Sequence, residues 1–347
     1  MDYSLHQRGR ASFEFLVDLR KQSDRLEEDS DHYAESTGLS NSALPDKPED
    51  LQQSLAPLMR ESLHFRMLQL MRDWTLSQHG WIAMEAFEDI RAEVEPALRT
   101  LQHGPTAISY AAKLKAPAYW AGYEFHHSAG GWDGHDYMGF VHGELIHRQM
   151  VGVTVADSIF EQRKATARMT PCQQPEKIFE MGCGSGQYTL GIAEAFPDSE
   201  LWACDLSPRQ LEQAQRQANE RGLCWHLIQA AAEQTGLAGE QFDLVTSYAM
   251  FHEMPAEAAR AALAEAYRLL KPGGHLLIAD VKAYQAMEPY EIFKADFWNQ
   301  VRGGDPFWRT YATTDLAESA EATGFADADW TGIGEAQYPF VLTARKA

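Results

Sequence analysis

Apolar positions along the chain follow two different rhythms, and the change from one to the other divides it. From Leu51 the spacing is helical: Leu51, Leu55, Leu58, Met59, Phe65, Leu68 and Met71 share one broad face, and Ile82, Phe87, Ile90, Val94, Leu98 and Leu101 share a second. Both stripes are read as core-facing surface. Residues 21–50, KQSDRLEEDSDHYAESTGLSNSALPDKPED, are polar, acidic and punctuated by Pro45 and Pro48, which predicts a solvated, partly flexible connector. Residues 105–168 are aromatic and glycine-containing and turn helical again through SIFEQRKATARM; the proline-flanked TPCQQPEK beside them reads as a domain boundary.

Past that boundary, short apolar runs alternate with helical stretches. Strands are expected at KIFEMG, ELWACD, WHLIQA, FDLVTS and HLLIAD, with helices over about 187–196, 207–221 and 256–270 between them. Such repetition implies a parallel sheet covered on both faces. Ser207 followed by Pro208 supplies an N-cap and a proline at the first helical position, and LKPGG ends the last long helix before a strand. The expected organisation is an acidic, partly flexible segment over 1–50, a mainly helical region over 51–168 and an α/β domain over 169–347.

Composition narrows the partners. A chain of 347 residues suits two ordinary domains, and 30 basic against 50 acidic side chains give a formal charge of -20, which repels phosphate backbones and anionic lipid. Nucleic acid and membrane are therefore not expected partners. No apolar run approaches the roughly 18 residues of a spanning helix, and charges interrupt MDYSLHQRGRASFEFLVDLRKQ, so a soluble cytoplasmic protein without a secretory signal is expected. Cys172, Cys183, Cys204 and Cys224 lack CxxC pairing and read as small buried hydrophobes in a reducing compartment, not as a zinc site or a disulfide framework.

The sharpest motif is KIFEMGCGSG, where Glu180 ends a strand and Gly182, Gly184 and Gly186 form the turn into a helix. Glycine there admits close approach of a ligand to the backbone. A dinucleotide fingerprint would be GxGxxG; here the loop is GxGxG preceded by an acid. The next strand ends in Asp205, whose carboxylate can accept hydrogen bonds from both hydroxyls of a ribose; capping the following helix is the plainer alternative. From about residue 170 to 347 the chain resembles the class I S-adenosylmethionine-dependent methyltransferases, through EMGCGSG, ACDLS, FDLVTSYAMFHEMP, AYRLLKPGGHLLIAD and the terminal YPFVLTARK, in that order. The resemblance implies a Rossmann-like sheet of seven strands with the last antiparallel, preceded by the mainly helical region. It also implies S-adenosylmethionine as cofactor, its methionine part near Glu180, Gly182, Gly184 and Gly186, its ribose on Asp205 beside Leu206, and further contacts at Ser247. Where the family often carries aspartate or glycine-aspartate near the adenine, QAAAEQ presents Ala231, Ala232 and Glu233.

A sulfonium methyl is already electrophilic, so the protein must align an acceptor, exclude water and remove a proton where there is one. In the two-domain small-molecule O-methyltransferases that the chain resembles, a histidine followed by an acid after the fourth strand acts as base and orienting partner; His252 and Glu253 match in type and order, with Met254 where tryptophan is usual. Packing at a strand end is the other reading of His252. The aromatic segment over about 283–312 is read as a cap over the acceptor, with Trp298 in it and Gly303 and Gly304 as a hinge, or else as a helical satellite core. By the same resemblance the helical half would hold the acceptor and form a homodimer.

One stretch fits neither rhythm: FHHSAGGWDGHDYMGFVHGELIHR, residues 125–148, carries His126, His127, His135, His142 and His147 among carboxylates. Read as an α-helix from Tyr137, it sets His142 well around from His147, so no single face presents all the candidate metal ligands. Three readings stand: acceptor binding with proton handling, a polar core, and a metal site. The first is adopted, with Tyr137 and His142 joined by Tyr248 and Trp298 as acceptor-binding residues and no metal, since methyl transfer itself needs none. The expected activity is methyl transfer to oxygen or nitrogen of a small, largely apolar metabolite; the alternatives are carbon methylation of a quinone-like ring and a non-catalytic S-adenosylmethionine-binding module.

Overall fold

The computed structural model describes residues 3–153 and 159–347. The helical half comprises α1 (Gln7–Ser36), α2 (Pro48–Met59) and α3 (Leu63–Thr100). The connector expected over 21–50 is thus helix as far as Ser36. The face of α1 that meets α3 buries Gly9, Phe13, Leu16, Ser23, Ser30 and Ala34, mostly residues that carry little hydrophobic signal and owe their burial to fit. A short strand β1 (Ala107–Ser109) follows, then a single turn α4 (Met138–Phe140) running straight into a π-helix, Val141–Val151, and α5 (Ile159–Ala167).

The α/β half runs β2 (Lys177–Met181), α6 (Gln187–Ala195), β3 (Glu200–Asp205), α7 (Pro208–Glu220), β4 (Trp225–Gln229), β5 (Phe242–Tyr248), α8 (Ala256–Leu269) and β6 (Leu270–Asp280). It ends with α9 (Pro289–Ala295), a second π-helix Asp296–Val301, α10 (Trp308–Thr313), α11 (Leu316–Thr323), β7 (Phe325–Gly332) and β8 (Phe340–Lys346). Every strand and helix expected here from sequence is present, each with bounds within two residues except β6, which starts five residues before HLLIAD and takes in the LKPGG expected to end the preceding helix. The sheet order is β1-β4-β3-β2-β5-β6-β8-β7, parallel throughout except for β8, which runs antiparallel to both neighbours.

Eight strands stand where seven were expected, because β1 crosses from the helical half to the exposed edge of β4. Thr106 fixes it there: its hydroxyl donates to the Leu223 carbonyl at 2.8 Å and accepts from the Trp225 N–H at 3.0 Å, while its own N–H donates to Asn219 Oδ1 at 2.9 Å. Three residues are too few to show a period of two, so nothing in the apolar pattern marks β1. The strand order reverses between β2 and β5, the kind of switch point where open α/β sheets leave a crevice beyond their strand ends. Among the described residues no helix is long and apolar enough to cross a membrane.

Candidate functional site

A cavity opens at that switch point, at the ends of β2, β3, β4 and β5. Gly182, Gly184 and Gly186 all have positive φ, at 69°, 51° and 85°. A Cβ at Gly182 would stand 2.4 Å from Met250 Sδ, whereas one at Gly184 would meet nothing within 4 Å, so the backbone there is bared to the cavity. The Gly184 N–H donates to Asp205 Oδ2 at 2.8 Å and the Ser207 N–H to Oδ1 at 2.9 Å. Asp205 therefore ties the glycine loop to the start of α7, and each oxygen keeps accepting capacity for a ligand. Burial pushes its carboxyl up to about 6. Burial also pushes Glu180 up to about 8, against a 2.6 Å hydrogen bond donated by the Thr189 hydroxyl.

Of the residues expected to hold a cofactor, Glu180, Gly182, Gly184, Asp205, Leu206, Ala232 and Glu233 line the cavity. Gly186 does not; it starts α6, where a Cβ would lie 3.0 Å from Ala214. Ser247 is turned away as well, its hydroxyl donating to the Met181 carbonyl at 3.0 Å, since successive strand residues face opposite ways and Tyr248 has the cavity side. Ala231 bridges back to Gln234, and its neighbour Ala230 lines the cavity instead.

The opposite wall comes from residues 119–147 and α5. The Tyr119 hydroxyl donates to Glu233 Oε1 at 2.9 Å, and Ser207 donates to both the Trp132 carbonyl, at 3.1 Å, and Asp133. His142 and His147 both line the cavity, their rings 5.9 Å apart. The α-helical reading separated them; the π-helix closes i to i+5, and they are five apart, so the wider turn brings them to one side. Burial holds His142 down to about 3 and, aided by Arg163, His147 well below the usual imidazole range, so both are neutral. Gly143 lets this helix approach the loop: a Cβ there would be 2.6 Å from Ser185 Oγ, and the Gln187 side chain donates to its carbonyl at 2.7 Å.

Arg163 was not foreseen. It is buried, lines the cavity near Glu180, and bonds Gln187 and His147 but, among the described residues, no carboxylate. Its only sequence signal is one arginine in a helical stretch.

Two expected acceptor residues lie elsewhere. Tyr137 packs between Phe87 and Phe140 in the helical core, its hydroxyl donating to Glu95 at 2.8 Å, because α4 begins only after it and turns it toward α3. Trp298 sits on Phe65 and Phe297 with Arg72 over its ring, the satellite core that was the alternative for this segment. Gly303 and Gly304 pack against Asn299 and His127.

His252 and Glu253 follow β5 in the expected place, with their positions relative to the cavity exchanged. Glu253 lines it; His252 is buried behind, its Nδ1 2.6 Å from Asp280 Oδ1 and its ring against Trp308. Burial draws the His252 imidazole down, yet Asp280 more than offsets this and its pKa is raised. Across the cavity edge His126 Nε2 stands 3.1 Å from Glu253 Oε1.

Comparison with known proteins bears on the domain that carries this cavity. Residues 178–274 match the family model of a methyltransferase domain. A malonyl-[acyl-carrier protein] O-methyltransferase of Hahella chejuensis is 31% identical over 150 residues, covering 43% of this chain and 50% of that protein. A demethylmenaquinone methyltransferase of Thermus thermophilus is 33% identical over 106 residues, covering 30% and 47%. The chain spans about half the length of these relatives. A solved structure of a putative O-methyltransferase from Nostoc punctiforme aligns over 60% of each chain with a TM-score of 0.48 and 16% identity. The C-terminal half thus carries a methyltransferase domain over residues 178–274.

Proposed function

We propose that the chain transfers a methyl group from S-adenosylmethionine to an oxygen or nitrogen of a small, largely apolar acceptor. The observation that carries this reading is the pairing of Glu180 and Asp205 at adjacent strand ends, either side of a glycine loop bared at Gly184, in one cavity with Glu253. The residues present fit the cofactor. Asp205 has lone pairs to spare for ribose hydroxyls, and Glu233 Oε2 is buried with no partner among the described residues, on the side where an adenine amino group would lie. Arg163, whose Nε has no partner among the described residues, supplies a cation for the methionine carboxylate.

Trp120, Trp132, Tyr248, Met250 and Met254 give the acceptor end an aromatic and apolar lining. Glu253 faces the acceptor as the proton-accepting group, with His252 oriented behind it by Asp280. Carbon methylation of a quinone-like ring is the second reading, favoured by the named Thermus relative. The thiols are unpaired among the described residues, in keeping with a cytoplasmic protein. A homodimer is supported by exposed Leu63, Met67, Leu70 and Trp74, which follow one stripe of α3.

Calorimetric titration of the purified protein with S-adenosylmethionine tests the core of this. Binding is expected, and Asp205→Ala should weaken it by about 1.5–3 kcal/mol, the range for hydrogen bonds to a charged group. An unmodified protein that does not bind would sink the reading.

A further inference from the structure

Beside the acceptor end of the cavity, two segments distant in sequence converge on one point. Ligand atoms of His126, His252 and Glu253 lie within 4.8 Å of one another, with the two Nε2 atoms 3.1 and 4.0 Å from Glu253 Oε1. We propose that His126, His252 and Glu253 bind a first-row transition-metal dication, with Asp305 and Asp280 orienting the two imidazoles from behind.

Each imidazole is held through its other nitrogen. His252 Nδ1 is 2.6 Å from Asp280 Oδ1, and His126 Nδ1 is 2.6 Å from Asp305 Oδ1, the latter as an ion-pair contact without aligned hydrogen-bond geometry. Both aspartates are buried. A carboxylate on Nδ1 fixes the tautomer that leaves the Nε2 lone pair free, and makes that nitrogen a better donor, the arrangement found behind metal-bound histidines. Two such lone pairs aimed at a carboxylate repel it unless a positive charge lies between them. Among the described residues no lysine or arginine pairs with Glu253, Asp280 or Asp305, so the charge comes either from protons on the two imidazoles or from a bound cation that replaces them.

Ligand type points to the class of ion. Two imidazoles and one carboxylate suit zinc and ferrous iron, whereas magnesium and calcium take oxygen ligands. Bonds of about 2.0–2.2 Å put neighbouring ligands roughly 3–3.5 Å apart. The pair at 3.1 Å already meets this, and the pair at 4.0 Å needs a shift of under about 1 Å. The backbone is bent to bring His126 there: His126 and His127 are consecutive non-glycine residues at φ 54° and 53°, a conformation that persists where surrounding structure enforces it. The enforcing contacts come from the loop that carries Asp305, with the His126 N–H donating to the Gly304 carbonyl at 3.3 Å and His127 Nε2 donating to the Arg302 carbonyl at 3.0 Å. Glu253 also lines the cavity, so an ion bound here would border the acceptor space as a Lewis acid. That consequence rests on the methyl-transfer reading; the binding of the metal does not.

The test uses the full chain, stripped with a chelator and titrated calorimetrically with zinc chloride, and separately with cobalt(II), whose visible absorption reports nitrogen and oxygen ligation. One ion per chain is expected, with the site lost in His126→Ala and Glu253→Gln and weakened about 10- to 100-fold in Asp305→Asn. His135→Ala, whose ring stands 2.9 Å from Glu88 away from the cavity, should bind as the parent does. S-adenosylmethionine affinity, measured on each variant, reports an intact fold and keeps the two ideas apart: cofactor binding without metal binding in the parent overturns the metal site alone. Zinc affinity unchanged in His126→Ala overturns it too, and if that variant fails to fold, unchanged affinity in Asp305→Asn does so.

Discussion

The two walls of the cavity are built by opposite means. One wall, the glycine loop and the ends of β2 to β5, is made of elements that neighbour one another in sequence and carry their own local signals. Glu180 ends a strand, three glycines turn it, and Ser207-Pro208 starts the next helix. The facing wall has no such grammar: Tyr119, Trp132, His142 and His147 come from irregular chain and a π-helix, and long-range contacts fix them, to Glu233, Ser207 and the glycine loop. The first wall belongs to a fold that recurs across many acceptors, and the second is where this chain can differ.

The largest effect should follow from filling the first wall. Gly184→Val adds a side chain into open space, so packing is spared; the cost to the fold is that of a β-branched residue at φ 51°, about 1–2 kcal/mol. Cofactor binding should nevertheless fall at least about 100-fold, since the backbone can no longer be approached. Calorimetry and thermal unfolding on the same sample separate the two, and retained affinity would show that the bared glycine is not where the ligand lies.

Titration sharpens the same wall. Glu180 is raised from an ordinary 4.5 to about 8 by burial, so between those values the folded state holds a proton that the unfolded state has released. Stability from this group is full below about 4.5 and is lost as pH rises toward 8, with a slope of up to about 1.4 kcal/mol per pH unit. Asp205 acts in the same direction, but only up to about 6. Glu180→Gln should flatten the loss between about pH 4.5 and 8, most cleanly above 6 where Asp205 no longer contributes, read as the difference between parent and variant in denaturant unfolding; parallel curves would mean that Glu180 is ionised in the fold.

How much could be read in advance follows this division. The strands from KIFEMG to HLLIAD declared themselves because each is a buried run closed by its own turn residues. In contrast, α1 buries serine, glycine and alanine, and β1 owes its place to the single side chain of Thr106, neither of which registers as hydrophobic pattern. At the site, Asp205 and Glu180 were legible because strand ends point at the crevice. His142 beside His147 was not, because 3.6 residues per turn sets residues five apart on different faces and this helix takes a wider turn. Nor was the partnership of His126 with Glu253, which joins residues 127 positions apart. His252 and Glu253 were found as a pair, but which of them faces the cavity depends on Asp280 drawing the imidazole inward.

The smallest predicted effect bears on that boundary most directly. Tyr137 belongs to the unpatterned stretch and reads from sequence as an acceptor contact, yet its ring lies 5.1 Å from Phe87 with the Arg216 guanidinium 5.0 Å away, and its hydroxyl meets Glu95 and Arg99. Removing that hydroxyl deletes its polar contacts to Glu95 and Arg99 at the rim of the helical core and nothing in the cavity. Tyr137→Phe should therefore lower Tm by about 1–3 °C, the scale of a single net hydrogen bond in a chain of this size. Cofactor affinity and acceptor KM should stay at parental values. A raised KM with unchanged Tm would mean that the acceptor reaches past His142 into the helical half, and that the second wall extends further from the sheet than the cavity between them.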